Sequence, residues 1–386
     1  LIVFSQFCCT SLWFASNGVM EALTQSFDLE SGAMGHLTSA VQFGFIFGTL
    51  IFALLNIADR FTPSKVFFFS ALIGALFNAA LVFSQNTMFS LILLRFFCGF
   101  FLAGIYPVGM KIAADHFQEG LGKSLSYLVG ALVLGTAFPH LLNSFNFNFN
   151  WQTLILMVSG IALVGGLLML LFVPNGPFRK QNLNLDLRGV FKVFKSAEFR
   201  SASMGYLGHM WELYAFWAFV PLILKSYADE YPNLTFNLSL TAFLIIAIGS
   251  VGCVIGGYIS RKHGLRKTAK YALIISGGCC LLSPFLFSIG SFPLFLLILF
   301  IWGMAVIADS PLLSTLVAQN AEPTLKGTAL TIVNSIGFAV TIISIQLLSY
   351  LSQTINDKWI YVFLALGPIF GWLALIKKKK LNQSRE

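Results

Sequence analysis

The stretch GYLGHMWELYAFWAFVPLIL, Gly205 to Leu224, sets an imidazole and a carboxylate three residues apart in an otherwise apolar run. At the helical period, His209 and Glu212 share a face with Gly205 and Phe216. Held together away from water, such a pair can take up and release a proton near neutral pH. The alternative is a polar pair that locks helix packing. Few other ionisable groups have comparable surroundings. Arg95 shares its face with Gly99, Leu102 and Tyr106, and its guanidinium calls for an acid, an anionic solute or backbone carbonyls. Asp309 shares a face with Trp302 and Ala305, where it would bind, gate or cap. Glu21 continues a face made by Thr10, Phe14 and Asn17, which reads as a cavity lining whose far end reaches water. Trp13, Tyr214 and Trp217 would stack on a ring or apolar part of a solute, or pack against neighbouring helices.

These groups need elements that can hold them in a non-aqueous setting. The chain has 386 residues, of which 57% are hydrophobic and 10% charged, with 41 Phe. Its mean hydropathy is +0.82. A soluble domain carries roughly 25% charged residues, so lipid is the expected solvent here. A bilayer core of ~30 Å takes ~20 apolar helical residues. By that measure the spans run 1–26, 36–58, 64–84, 88–113, 123–143, 152–173, 201–226, 236–260, 268–289, 293–318, 327–352 and 358–376. An ionisable group inside such a span costs roughly 3 kcal/mol, which marks it as a functional candidate. Glu212 falls ~17 Å along the seventh span, close to its middle.

Lysine and arginine set the orientation. With the N-terminus inside, Lys225 and Lys358 are the lysines assigned to outer loops. Inner segments hold Arg60, Lys65, Lys111, Lys123, the cluster Arg261 to Lys270, Lys326 and the run Lys377 to Lys380. This asymmetry accounts for the net charge of +9 without a nucleic-acid partner. The terminal lysine run reads as an anchor to anionic lipid. The outer stretch NSFNFNFNW, Asn143 to Trp151, reads as an interfacial aromatic turn. The six cysteines all lie in apolar runs and read as small buried hydrophobes. Leu1 to Phe27 is too long for a signal peptide and lacks its cleavage site, and a few residues are expected before Leu1.

The sequence repeats itself across its longest polar stretch, 174–200. FCGFFLAGIYP (Phe97 to Pro107) aligns with IWGMAVIADSP (Ile301 to Pro311) at an offset of 204, and Trp13 with Trp217 at the same offset. Repeated membrane halves suit alternating access around a midplane site. The expected organisation is residues 1–173 and 201–376 as two six-helix bundles, a cytoplasmic linker 174–200 and a basic tail 377–386.

Here the chain resembles the major facilitator superfamily. NIADRFTPSK (Asn56 to Lys65) is similar to the family's inner-loop signature at Asp59 and Arg60, with Leu55 and Thr62 where glycines stand. GGYISRKHGLRK (Gly256 to Lys267) keeps Gly257, Gly264, Arg266 and Lys267 but places Arg261 at the acid. RFFCGFFLAG (Arg95 to Gly104) resembles the family's Arg-x-x-x-Gly pattern. The fifth span lacks the Gly-Pro-rich signature of drug/proton antiporters, and VPNGPFRK replaces the sugar porters' signature.

The resemblance implies an all-α polytopic membrane protein of 12 transmembrane helices with both termini cytoplasmic. It implies a monomeric secondary transporter in the cytoplasmic membrane, moving a small polar or charged solute. Proton-coupled symport is the expected mode; a uniporter, an exporter or a transporter-like receptor are the alternatives. The substrate and proton site is expected to draw on Glu212, His209, Arg95, Asp309, Glu21, Asn17, Tyr106, Trp13, Tyr214 and Trp217. Asp59, Arg60, Arg261 and Arg266 would form a cytoplasmic latch. No enzyme activity, metal or cofactor is expected: His-x-x-Glu stands without a further nearby histidine, and no nucleophile elbow or nucleotide loop occurs.

Overall fold

The computed structural model describes residues 1–30, 32–117, 121–145, 150–179, 194–322 and 325–376, with 121–123 as backbone only. The centre of NSFNFNFNW, most of the linker and the lysine tail lie outside the described residues. Among the described residues the regular structure is helical, with no strand. The helices are α1 (Ile2–Thr10), α2 (Met20–Phe27), α3 (Ala33–Leu54), α4 (Ile57–Arg60), α5 (Pro63–Ala79), α6 (Met88–Leu102), α7 (Tyr106–His116), α8 (Leu121–Ser144) and α9 (Trp151–Phe172). After the linker come α10 (Ala197–Glu230), α11 (Leu238–His263), α12 (Leu265–Leu286), α13 (Phe292–Ala308), α14 (Ser310–Asn320), α15 (Lys326–Thr354), α16 (Asp357–Ile360) and α17 (Leu366–Ile376).

Among the described residues, eleven of the expected spans appear as segments long and apolar enough to cross a bilayer. The first does not, because residues 1–27 break into α1, a run of turns and α2. The starts of several helices follow from polar residues placed just before an apolar run. Asn150, Ser196 and Asn237 each accept a backbone N–H of the helix they precede. Thr87 and Ser90 form a reciprocal capping box at α6.

The offset of 204 recurs in the packing. Gly99 of α6 lies against the carbonyl of Val41 on α3, and Gly303 of α13 lies against that of Ile245 on α11. Gly48 meets the Phe100 carbonyl, and Gly252 meets that of Met304. Each member of these pairs sits 204 residues from its mate. The breaks repeat as well: α6 gives way to α7 before Pro107, and α13 to α14 before Pro311, with proline in the first turn of the new helix. Small residues let these helix backbones approach closely, as membrane packing favours.

Helices from before and after the linker pack together through α3 with α15 and α8 with α11. Polar ties between them include Gln346 to Ser39 at 2.9 Å, Asn143 to Ser239 at 3.0 Å and Asn237 to the Ser144 carbonyl at 3.0 Å. Each of these lies toward the side away from the Lys/Arg-rich ends. On that same side Lys225 approaches Glu21, and Lys358 pairs with Glu230.

A methyl group at Gly99 would press on the Val41 carbonyl, whereas Gly160 has open space around it. Gly99→Ala is expected to destabilise the detergent-solubilised protein by about 1–3 kcal/mol. Gly160→Ala should leave the melting temperature unchanged or raise it, since alanine is the better helix former. Thermal denaturation of the two variants side by side checks this.

Candidate functional site

Glu212, near the middle of α10, is buried among later helices. Its Oε1 accepts the indole N–H of Trp302 on α13 at 2.6 Å and the thiol of Cys280 on α12 at 3.2 Å. The Trp302 ring also packs on Phe216, one turn along α10, with centroids 4.6 Å apart. One carboxylate thus joins three helices. Among the described residues no cationic side chain pairs with it.

His209 takes a different partner from the one its spacing suggests. Its Nδ1 lies 2.7 Å from Oδ1 of Asp309, and both side chains are 1% exposed. Asp309 occupies the junction between α13 and α14, where its own carbonyl accepts the Leu313 N–H at 2.8 Å. A shared helix face brings His209 and Glu212 to the same side of α10, but α13 meets them at points two turns apart. The neighbouring helices, not the i, i+3 spacing, decide who pairs with whom. His209 Nε2 has no hydrogen-bond partner among the described residues.

Arg95 is fully buried and directs its guanidinium at the broken first segment. Nη1 and Nη2 each donate to the Leu12 carbonyl at 3.1 Å, and Nη2 also donates to the Trp13 carbonyl. Nη1 donates further to Asn78 Oδ1 at 3.0 Å, and Asn78 in turn donates to Ser159 of α9. Of the partners that the sequence left open, the structure shows backbone carbonyls. These are carbonyls released where α1 ends, which a helix in lipid cannot leave bare.

Between the two sets of helices lies a layer of rings. Trp13 packs on Tyr214 and on Phe338 of α15, both at 5.6 Å, and Phe45 meets Phe338 at 4.5 Å. Trp217 contacts Tyr214 at 5.3 Å and Phe14 at 6.3 Å. Trp13 and Trp217, mates in the repeat, both contact Tyr214. Trp13 Nε1 donates to Gln42 Oε1 at 3.3 Å. Gln42 Nε2, Trp217 Nε1 and Ser335 Oγ are buried without hydrogen-bond partners among the described residues. Sequence reasoning missed Phe45, Phe338 and Gln42. The phenylalanines carried no signal among so many, but an amide inside the apolar run of α3 could have been noticed.

The remaining candidates are spread out. Asn17 donates to Thr38 Oγ1 at 3.0 Å, bracing the broken segment on α3. Tyr106 opens α7 and is half-buried. The Glu21 side chain is 78% exposed, 3.8 Å from Lys225. On the Lys/Arg-rich side, Asp59 pairs with Lys111 at 2.9 Å, and Arg179 donates to the carbonyls of Asp59 and Phe61. Arg266 pairs with Glu198 at 2.8 Å, Arg261 lies over the Tyr258 ring, and Arg60 is exposed. The Asp59 and Arg266 ion pairs therefore each stay within their own set of helices.

This fold of broken, glycine-packed helices in two matching sets is that of a membrane transporter. The Major Facilitator Superfamily profile matches residues 2–345, and the chain belongs to that family. An uncharacterised MFS-type transporter of Bacillus subtilis, YceJ, is 23% identical over 380 residues, covering 94% of this chain and 89% of the relative. The 4-hydroxybenzoate transporter PcaK of Pseudomonas aeruginosa is 27% identical over 166 residues, or 40% of this chain and 35% of that one. In three dimensions the chain is similar to a variant of the nucleoside transporter NupG, with a TM-score of 0.73 at 18% identity over 97% of this chain and 98% of that one.

Arg95→Leu leaves the Leu12 and Trp13 carbonyls and the Asn78 amide oxygen without their donor. A loss of about 3 kcal/mol or more is expected, visible as a large drop in melting temperature. Arg95→Lys should recover only part of it, because one ammonium cannot reproduce the planar fork. In contrast, Glu21→Gln removes an exposed pair and should shift the melting temperature by no more than about a degree.

Proposed function

We propose that the chain is a proton-coupled symporter of the cytoplasmic membrane, acting as a monomer by alternating access. Residues 1–173 and 201–376 are the two moving bundles, 174–200 their linker and 377–386 a basic tail. The Lys/Arg-rich ends face the cytoplasm, with both termini there. In this arrangement the polar ties between bundles lie on the outer side, which corresponds to a state closed to the outside.

The observation that carries proton coupling is the setting of Glu212. It is a buried carboxylate whose hydrogen-bond donors, Trp302 and Cys280, are neutral groups from two other helices. A charge there without a cation is costly, so gain or loss of a proton changes how α10 holds α12 and α13. His209 and Asp309 form a second proton-holding pair at the α13–α14 break, which is where the helix can adjust. Phe216 and Tyr214 on the same helix link this set to the ring layer between the bundles.

The ring layer is the proposed solute contact. Trp13, Tyr214 and Trp217 would hold a planar or apolar part of the solute, and the buried amide, indole and hydroxyl groups beside them would meet its polar atoms. Asn17 and Tyr106 are assigned to the same path as part of this proposal. Asp59, Arg60, Arg261 and Arg266 serve the cytoplasmic latch. The 4-hydroxybenzoate relative carries a ring-bearing solute by its name, a chemistry that an aromatic layer of this kind suits.

Uptake into proteoliposomes, screened over organic acids, amino acids, nucleosides and sugars, tests the proposal. An inward proton gradient should drive accumulation of the true solute by wild type. Glu212→Gln should abolish that accumulation yet retain solute exchange without a gradient. Wild-type uptake that ignores the gradient would sink proton coupling and leave a uniporter of the same fold.

A further inference from the structure

A shallow, open groove of about 480 Å³ lies on the Lys/Arg-rich side, between the start of α12 and the end of α14. His263, Arg266, Lys267 and Lys270 line it, with the Gln319 amide opposite. Orientation in the membrane requires positive charge on this side, but it does not require charges to converge on a groove. From Arg261 to Lys270 there are five lysines and arginines and no acid. Glu198 pairs with Arg266. Lys267 lies 6.0 Å over the Tyr271 ring, and no anionic partner of Lys267 or Lys270 is found among the described residues.

Local backbone geometry adds to this. Gly264, between α11 and α12, has φ +84 and ψ 149, a conformation side chains other than glycine rarely adopt. It lets α12 begin directly after α11 ends, so that His263 and the first two turns of α12 face one space. The first turn of α12 has no side-chain cap, so its N–H groups add to the positive field. Lys267 and Lys270, three apart, stand on one side of the helix. Below the groove the same helices carry exposed apolar side chains, among them Tyr258, Tyr271 and Ile274. These offer a surface to acyl chains directly beneath the cations.

We infer that this groove binds a phosphate-bearing anion, with the headgroup of an anionic phospholipid as the favoured source. Lys267 and Lys270 contact the phosphate, and Gln319 reaches it from α14. Bound there, the anion ties the start of α12 to the end of α14. This site is separate from the proposed solute path and does not depend on it.

The test uses the full chain in nanodiscs of phosphatidylcholine alone or with phosphatidylglycerol, and in detergent with added inorganic phosphate. Thermal unfolding of wild type is compared with K267Q/K270Q and with K65Q/K195Q, which removes equal charge from the same side elsewhere. Phosphatidylglycerol should raise the wild-type melting temperature. K267Q/K270Q should lose most of that rise and bind the lipid roughly tenfold or more weakly, while melting like wild type in phosphatidylcholine. K65Q/K195Q should keep the rise. Protection by phosphatidylglycerol and not by phosphate assigns the site to lipid; equal protection by both assigns it to the free anion. The inference is overturned if neither anion protects wild type, or if K65Q/K195Q loses as much protection as K267Q/K270Q.

Discussion

The grip of the Arg95 guanidinium on the Leu12 and Trp13 carbonyls is the contact on which the rest of the arrangement leans. In lipid a backbone carbonyl without a donor is costly, so a broken helix survives only where protein supplies one. Here the break throws Trp13 and Phe14 toward the later helices, where they build the ring layer. The same guanidinium reaches Asn78, and Asn78 reaches Ser159, so one side chain coordinates the first span with α5, α6 and α9. The repeat makes the dependence visible. At the offset of 204, Arg95 falls on Leu299, and Leu12 and Trp13 fall on Phe216 and Trp217 in the uninterrupted α10. Where the helix is continuous there are no carbonyls to serve, and a leucine suffices.

A division of labour follows from that asymmetry. The later helices hold Glu212 and Asp309, the two carboxylates at 1% exposure, each joined to groups of its own set. The interface between the sets is made mainly of rings and neutral polar atoms. The proposed proton site and the proposed solute contact are then neighbours along α10 without sharing side chains. Phe216, which packs on Trp302, and Tyr214, which belongs to the ring layer, are four and two residues from Glu212 on the same helix.

Much of this was legible in the sequence, for physical reasons. Long apolar runs, their polar caps and the lysine asymmetry are properties of single segments, and they gave the spans. The aligned glycines marked the repeat, and the structure shows that Gly99 and Gly303 are also points of close helix contact. The breaks were harder: Ser11 to Ser16 is as apolar as its surroundings, and the turn is stabilised by Arg95 from another helix. The pairing of His209 with Asp309 lay equally beyond reach, since it depends on how α13 crosses α10. Ring contacts to Phe45 and Phe338 were hidden by the abundance of phenylalanine.

The length of α10 has a mechanical consequence. Its 34 residues extend ~51 Å, well beyond the ~30 Å of the hydrocarbon core. In the proposed alternating-access cycle it would act as a lever with nearly equal arms, one ending at Glu198 beside Arg266 and the other near Lys225 and Glu230. Its fulcrum would be the stretch from His209 to Trp217, which α12, α13 and the ring layer grip. Pro221 removes one backbone hydrogen bond just beyond that grip, giving the rod a compliant joint. Tilting about the fulcrum would move the two membrane faces in opposite directions, so a sub-ångström adjustment at the centre is magnified at both ends.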